Sequence, residues 1–300
     1  MNTSGTVFDI GYQRYDGERE GRSRSRKAIF KDGVRTALGF GRGGKAKVLP
    51  WFFIGVLTMI GLVMAIIAGA ANMMGGPGAA DRNNIPSHGD YYGIVSIIVF
   101  VFAAVVGPEL LCPDRRNGTI NLYLVRPLLG SDYVAARWAA FLTVMLGTLW
   151  LPQLVLFLGR AGGDVSPGVY VQKHWLDIPR FLLAGAAMAA YATSLSLLIA
   201  SFTKRRAYAS VFMVGLFVIT TPFTVGLAGE MKGALGQWLS MFTLSSIPLH
   251  VSDIIFGKPS ELTDRAPAKA LGSTVLVGWF LLWTFGAAAL LWRRYRRLTP

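Results

Sequence analysis

The glycine-rich stretch from Gly39 to Ala46, Gly-Phe-Gly-Arg-Gly-Gly-Lys-Ala, comes nearest to a chemical motif. Its spacing is that of a phosphate-cradling loop, Gly-x-x-x-x-Gly-Lys-[Ser/Thr], in which the hydroxyl holds magnesium. Ala46 has no hydroxyl, no strand precedes the loop, and an apolar run follows it. Nucleotide chemistry is therefore excluded here, and the stretch reads as a flexible joint. The three histidines, His88, His174 and His250, stand apart, and no His-Glu-x-x-His pairs them for a metal. No Gly-x-Ser-x-Gly elbow presents a nucleophilic serine. The one cysteine, Cys112, reads as a small packed thiol. Glu109 is a carboxylate at the end of an apolar run. At a bilayer centre its charge would cost at least about 2.5 kcal/mol. Near the interface the cost falls, and Arg115 or Arg116 can pair with it. A proton relay would need a second intramembrane acid or histidine, and none accompanies it. The sequence offers no catalytic residue, metal ligand or cofactor site, so the chain does not read as an enzyme.

The elements that carry these residues are apolar. Hydrophobic residues make up 53% of the 300, charged residues only 15%, and mean hydropathy is +0.46. Soluble proteins carry about 25% charge. Eighteen Phe, 10 Tyr and 8 Trp exclude disorder, and one Cys excludes a disulfide scaffold. The first apolar run begins near residue 48 behind a polar tail, which does not fit a cleavable signal peptide. A spanning helix takes about 20 apolar residues, and unbroken runs without alternation select helices over a barrel. Six runs qualify: 50–71, 91–107, 138–159, 181–202, 207–228 and 270–292, none holding Lys, Arg, Asp or Glu. The expected fold is an all-α membrane protein with six transmembrane helices.

Basic residues orient it. The tail before residue 50 carries 11 Lys/Arg, and the two other inner segments and the C-terminal tail raise that side to 22 of the 30. The positive-inside bias puts both termini in the cytoplasm. The net charge of +14 then sits on the inner face, against anionic lipid headgroups, and needs no nucleic acid. Trp51, Trp138 and Trp292 fall at inner ends, and Tyr91, Tyr92 and Trp175 at outer ends, as interfacial aromatics do.

Three parts are expected: a polar basic tail over 1–27, an amphipathic interface helix and joint over 28–47, and a six-helix domain over 48–300. In the second part Ile29, Phe30, Gly33, Val34, Ala37 and Leu38 recur at helical spacing, opposite Lys27, Lys31, Asp32 and Arg35. Between spans two and three, Pro108 and Pro113 are expected to bend or end the helix. Asn117-Gly118 marks a turn. Thr119 is expected to cap a short helix, 120–125, limited by Pro127, and Ser131 to cap the next. The uncharged stretch 233–252, broken by Pro248, reads as an outer re-entrant or interfacial element between spans five and six. Pro152 and Pro222 are expected to kink spans three and five. Small residues at four-residue spacing, Gly61, Ala65, Gly69 and Gly185, Ala189, Thr193, suit close helix packing.

Taken together, the Tyr/Arg/Gly-rich tail, the basic amphipathic helix, six spans and the loop carrying Glu109, Arg115, Arg116, Gly118, Thr119, Arg126 and Pro127, then Tyr133 and Arg137, resemble bacterial permease subunits of type-2 ATP-binding-cassette (ABC-2) exporters. Arg137 departs slightly from the pattern, which often has Lys there. The tail residues Tyr12, Arg14, Tyr15, Gly17, Arg19, Gly21 and Arg22 match one subgroup. The resemblance implies a multi-pass protein of the bacterial plasma membrane that pairs with a second permease subunit. It also implies docking on a separate ATPase subunit, which holds ATP and magnesium. By the same resemblance Glu109, Asp114, Arg115, Arg116, Gly118, Thr119, Arg126 and Pro127 would couple to that ATPase. Tyr12, Arg14, Tyr15, Gly17, Arg22, Phe30 and Arg35 would form the N-terminal interface, and the substrate path would follow spans two and five. A non-transporting assembly or regulatory protein, or an ion-coupled transporter, are the alternatives; the second is disfavoured by the lack of intramembrane acids and repeated halves.

Overall fold

The computed structural model describes residues 21–41, 43–76, 78–124, 128–164, 166–231, 241–258 and 268–297. Tyr12, Arg14, Tyr15, Gly17, Arg126, Pro127 and the first part of the 233–252 element lie outside them. The regular structure among the described residues is all helix: α1 Arg22–Ala37, α2 Lys45–Gly75, α3 Ala79–Arg82, α4 His88–Arg116, α5 Thr119–Leu124, α6 Gly130–Gly162, α7 Pro167–His174, α8 Asp177–Ala200, α9 Arg206–Glu230, α10 Ile247–Phe256 and α11 Ala268–Arg296. Five stretches, α2, α4, α6, α8 and Gly272–Arg296 within α11, are long and apolar enough to cross a membrane. The sixth expected span lies in α9, whose apolar part, Arg206–Pro222, is shorter.

The amphipathic pattern of α1 matches the expected face. Ile29, Gly33 and Ala37 are buried, Phe30, Val34 and Leu38 half-buried, and Lys27, Lys31, Asp32 and Arg35 exposed. That face closes against α6 and α4, so protein covers it. A Cβ on Gly33 would lie 2.7 Å from the Ala140 Cβ, which is why the two helices can touch there. The joint after α1 opens on a tight turn. Gly39 and Gly41 take φ of +74° and +83°, and a Cβ on Gly39 would collide with the Ala46 carbonyl.

Helix α4 corrects one expectation, since it runs unbroken through Pro108 and Pro113 to Arg116. Proline removes one N–H and crowds the carbonyl four residues back. One residue before the carbonyl that Pro108 leaves without its helical donor, Ser196 of α8 donates to the Ala103 carbonyl at 2.6 Å, so a neighbouring helix packs closely against this turn. Pro113 falls in the last turn, where little helix remains to disrupt. Pro50, Pro152 and Pro222 likewise lie inside α2, α6 and α9.

The small-residue stripes are packing devices within this chain. A Cβ on Gly61 would sit 2.8 Å from the Pro152 carbonyl oxygen, and one on Gly159 would sit 2.5 Å from the Ala65 Cβ. Gly69 and Gly163 meet backbone to backbone. Helix α8 packs against α4, α6, α9, α10 and α11, and its Ser194 accepts from the Trp138 indole at 3.1 Å. At the end of the bundle opposite α1 and α5, the segment before α10 is stitched down. Tyr191 donates to the Leu244 carbonyl at 2.8 Å, and the Thr224 and Thr243 hydroxyls share a hydrogen bond at 2.5 Å. The face of α10 from Ile247 to Ser252 is buried against α8, α11 and α4. The short helices α3 and α7 at this end have no counterpart among the expected elements.

Candidate functional site

At the end where α1 meets the bundle, α4 finishes, α5 follows and α6 begins. Gly118, with φ +70°, makes the turn between α4 and α5. The expected caps do not form. Thr119 is already helical, and its hydroxyl turns back to donate to Asp114, to Oδ1 at 3.2 Å and to the backbone oxygen at 3.3 Å. Leu129, not Ser131, holds the N-cap of α6, and Asp132 accepts its N–H at 3.1 Å. A carboxylate at the third position of a helix reaches the cap and meets the positive end of the dipole, so it displaces a serine one residue too far along.

Asp114 is the hub of a network that the sequence only partly disclosed. The Tyr133 hydroxyl donates to its Oδ2 at 2.6 Å, and Arg137 Nη2 donates to the same oxygen at 2.8 Å. Arg137 is 3% exposed and also pairs with Asp32 of α1 at 2.9 Å. One guanidinium therefore joins α1, α4 and α6. Arginine suits this place because its planar fork serves two carboxylates at once. Tyr133 stacks between Tyr123 of α5 and Tyr295 of α11, with ring centroids 5.8 Å apart on each side. Burial, and then the charge on Asp114, push the Tyr123 phenol above its ordinary pKa. Five elements thus meet at one polar and aromatic cluster.

The other expected residues spread around it. Arg22 of α1 donates to Asp132 at 2.6 Å, and that hydrogen bond holds its guanidinium above the ordinary value. Phe30 packs on the core, while Arg35 lies on the exposed face of α1. Glu109 does not turn to Arg115 or Arg116 for its ion pair. Arg206, at the start of α9, reaches it at 2.5 Å. Arg115 instead donates to the Ser201 carbonyl and, at 3.3 Å, to that of Thr203, after α8. Arg116 is exposed. So Glu109 and Arg115 tie the end of α4 to the α8–α9 turn, and Asp114 ties it to α1, α5 and α6.

Asp32, Asp132, Tyr133, Arg137 and Arg206 carry this geometry, and only Tyr133 and Arg137 stood in the motif. Leu122 was also missed. It is 69% exposed on a six-residue helix whose Ile120 is buried. An apolar side chain on the open face of a short helix is the signal that marks it.

Helices α4 and α9 also frame a cavity of about 410 Å³, lined by Ser96, Ile97 and Phe100, by Phe217 and Thr221, and by Ser245, Ser246 and Leu249. Phe100 and Phe217 stack at 4.3 Å across its wall. Thr221 and Ser245 share a hydrogen bond at 2.8 Å there. The surface is apolar with a few hydroxyls, which suits an apolar body bearing occasional hydrogen-bonding groups.

A family model described as ABC-2 family transporter protein matches residues 24–298. No curated protein matches the chain.

Proposed function

The chain belongs to the ABC-2 transporter family, as a multi-pass membrane protein, and on that footing we propose that it is the permease subunit of an ABC exporter of the bacterial plasma membrane. In this reading α9 is the sixth span, both termini face the cytoplasm, and 22 of the 30 basic residues line that side. The segment 233–252 caps the outer end as a re-entrant or interfacial element. Two permease subunits pair, and each docks on a separate ATPase that binds ATP and magnesium.

The observation that carries the proposal is the joining of α5 to α1, α4 and α6 through Asp114 and Arg137. Movement imposed on α5 or α1 by a partner would pass into two long helices, because the link is a buried charged one and not a loose loop. Glu109 with Arg206 and Arg115 with the Ser201 carbonyl extend the link to the α8–α9 turn. The cavity between α4 and α9 then lies within the moving parts, and its apolar lining supports an exit path along spans two and five. The chain contributes differential affinity between two conformations; the ATPase supplies the driving energy.

Two outcomes test the docking face. Leu122→Asp removes an exposed apolar anchor whose burial in an interface is worth about 1.5–3 kcal/mol. It is expected to lower the amount of ATPase co-purified with the chain by about tenfold or more, with insertion unchanged. Wild-type recovery of the ATPase with this variant would remove α5 from the docking face. Glu109→Ala breaks an ion pair whose arginine is 66% exposed, so solvent screening limits the stability loss to about 1 kcal/mol or less. Its expected effect is on coupling: ATP turnover of the complex persists in proteoliposomes while transport falls. Transport and turnover both at wild-type level, at equal expression, would count against the role given to Glu109.

A further inference from the structure

A second polar site sits at the opposite end of the bundle, where α2, α3, α6 and α7 enclose a cavity of about 170 Å³. Arg160, the last cation of α6, lines it and is only 5% exposed. A buried guanidinium needs partners, and among the described residues Arg160 has a single long ion pair, to Asp81 at 3.4 Å, with that aspartate half exposed. Tyr170 lines the same space, is 7% exposed, and its hydroxyl has no hydrogen-bond partner among the described residues. Burial pushes its phenol up to about 12, so it is a hydrogen-bond donor at any physiological pH. Lys173 stands on the rim, exposed. Asp81 and Asp164 add charge of the other sign to the lining, and His174, which pairs with Asp177 at 3.0 Å, lies there too.

Two cations and an orphaned phenol beside two carboxylates complement a small zwitterion. Guanidinium, ammonium and phenol suit the oxygens of a phosphate, and the carboxylates suit a primary ammonium. The surroundings supply the rest of the molecule. Beside the cavity α7 exposes Val169 and Val171, followed by Trp175, and the end of α2 exposes Met73 and Met74. An apolar rim with a tryptophan around a charged pocket is the profile of the lipid interface.

We propose that this cavity binds a phosphate-plus-ammonium head group, the chemistry of phosphatidylethanolamine in the outer leaflet. The site rests on the chain being a membrane protein with this end outward. It does not depend on the ATPase, so failure here and failure of the docking reading are separate results.

The test is native mass spectrometry of the full-length chain in detergent with equimolar phosphatidylethanolamine and phosphatidylglycerol. Phosphatidylethanolamine adducts are expected to exceed phosphatidylglycerol adducts by about tenfold, the worth of one charge-assisted hydrogen bond. Arg160 is buried and its loss can unfold this end, so the rim variant Lys173→Gln and the isosteric Tyr170→Phe carry the test. Each is expected to lower the phosphatidylethanolamine adduct several-fold with the elution profile of the folded protein unchanged. Equal retention of phosphatidylglycerol, or wild-type adducts in both variants, overturns the proposal. Competition by acyl-free O-phosphoethanolamine separates the sources. Displacement at equal concentration supports the zwitterion site with a soluble ligand, and no displacement at about hundredfold excess supports it with the lipid.

Discussion

Replacing Arg137 by alanine is expected to destabilise the chain by about 3–5 kcal/mol, the cost of removing one partner from a buried ion pair. Arg137 is 3% exposed, and Asp114, to which it donates at 2.8 Å, is largely covered as well. Without the guanidinium, Asp114 keeps the Tyr133 and Thr119 hydroxyls but loses its counter-charge. Asp32 of α1 loses its cation too, although it is 58% exposed and water replaces that partner at little cost. The damage should therefore centre on the α4–α6 junction and reach α1 second. Trypsin reads the sequence of events directly, because α1 carries six Lys/Arg. Faster cleavage within α1, together with a lower unfolding midpoint in detergent, is the expected result. Arg137→Lys should fall between, since a single ammonium keeps the charge but not the fork that spans Asp32 and Asp114. An alanine variant with wild-type stability and an intact α1 would show that the network is incidental.

The second large effect is expected at Gly107. A Cβ there would overlap the Ser196 Oγ and approach the Ser196 Cβ to 2.9 Å, deep between α4 and α8. Ser196 cannot simply rotate away, because its hydroxyl serves the Ala103 carbonyl beside the Pro108 turn. Gly107→Ala should thus combine overpacking, about 1–3 kcal/mol, with loss of the Ser196 hydrogen bond to the Ala103 carbonyl, about another 0.5–1.5 kcal/mol. Folded yield after membrane extraction is the measurement. Ser196→Gly in the same chain removes both clashing atoms and should recover the overpacking part but not the hydrogen bond. A double variant no better than Gly107→Ala alone would place the strain elsewhere.

These two positions show which parts of the molecule could be read from the sequence. Long apolar runs and the 3.6-residue period are local properties, and they located α2, α4, α6, α8, α11 and the buried face of α1. Residues 29, 33 and 37 are buried as their spacing requires. What covers that face is not local: α6 lies about a hundred residues away. The same distance hid the partner of Glu109, since Arg206 is 97 positions along while Arg115 and Arg116 are near neighbours. Proline rules treat a helix in isolation, so they allowed an end to α4 at Pro108, where the helix packed against α8 continues. Cap residues were misread for a related reason. As a cap the Thr119 hydroxyl would accept from its own helix, but it donates to Asp114 instead, and Asp132 outcompetes Ser131. The cavity beside Arg160 left no sequence signal, because Arg160 closes an apolar run and Tyr170 stands on an eight-residue helix.

The most direct test of the permease reading is affinity purification of the tagged full-length chain from its native membranes in a gentle detergent, with mass spectrometry of what accompanies it. The account predicts a stoichiometric soluble ATPase carrying nucleotide-binding motifs, recovered in much smaller amount when Leu122 is replaced by Asp. A chain that emerges without any ATPase, even from membranes crosslinked before extraction, would contradict it.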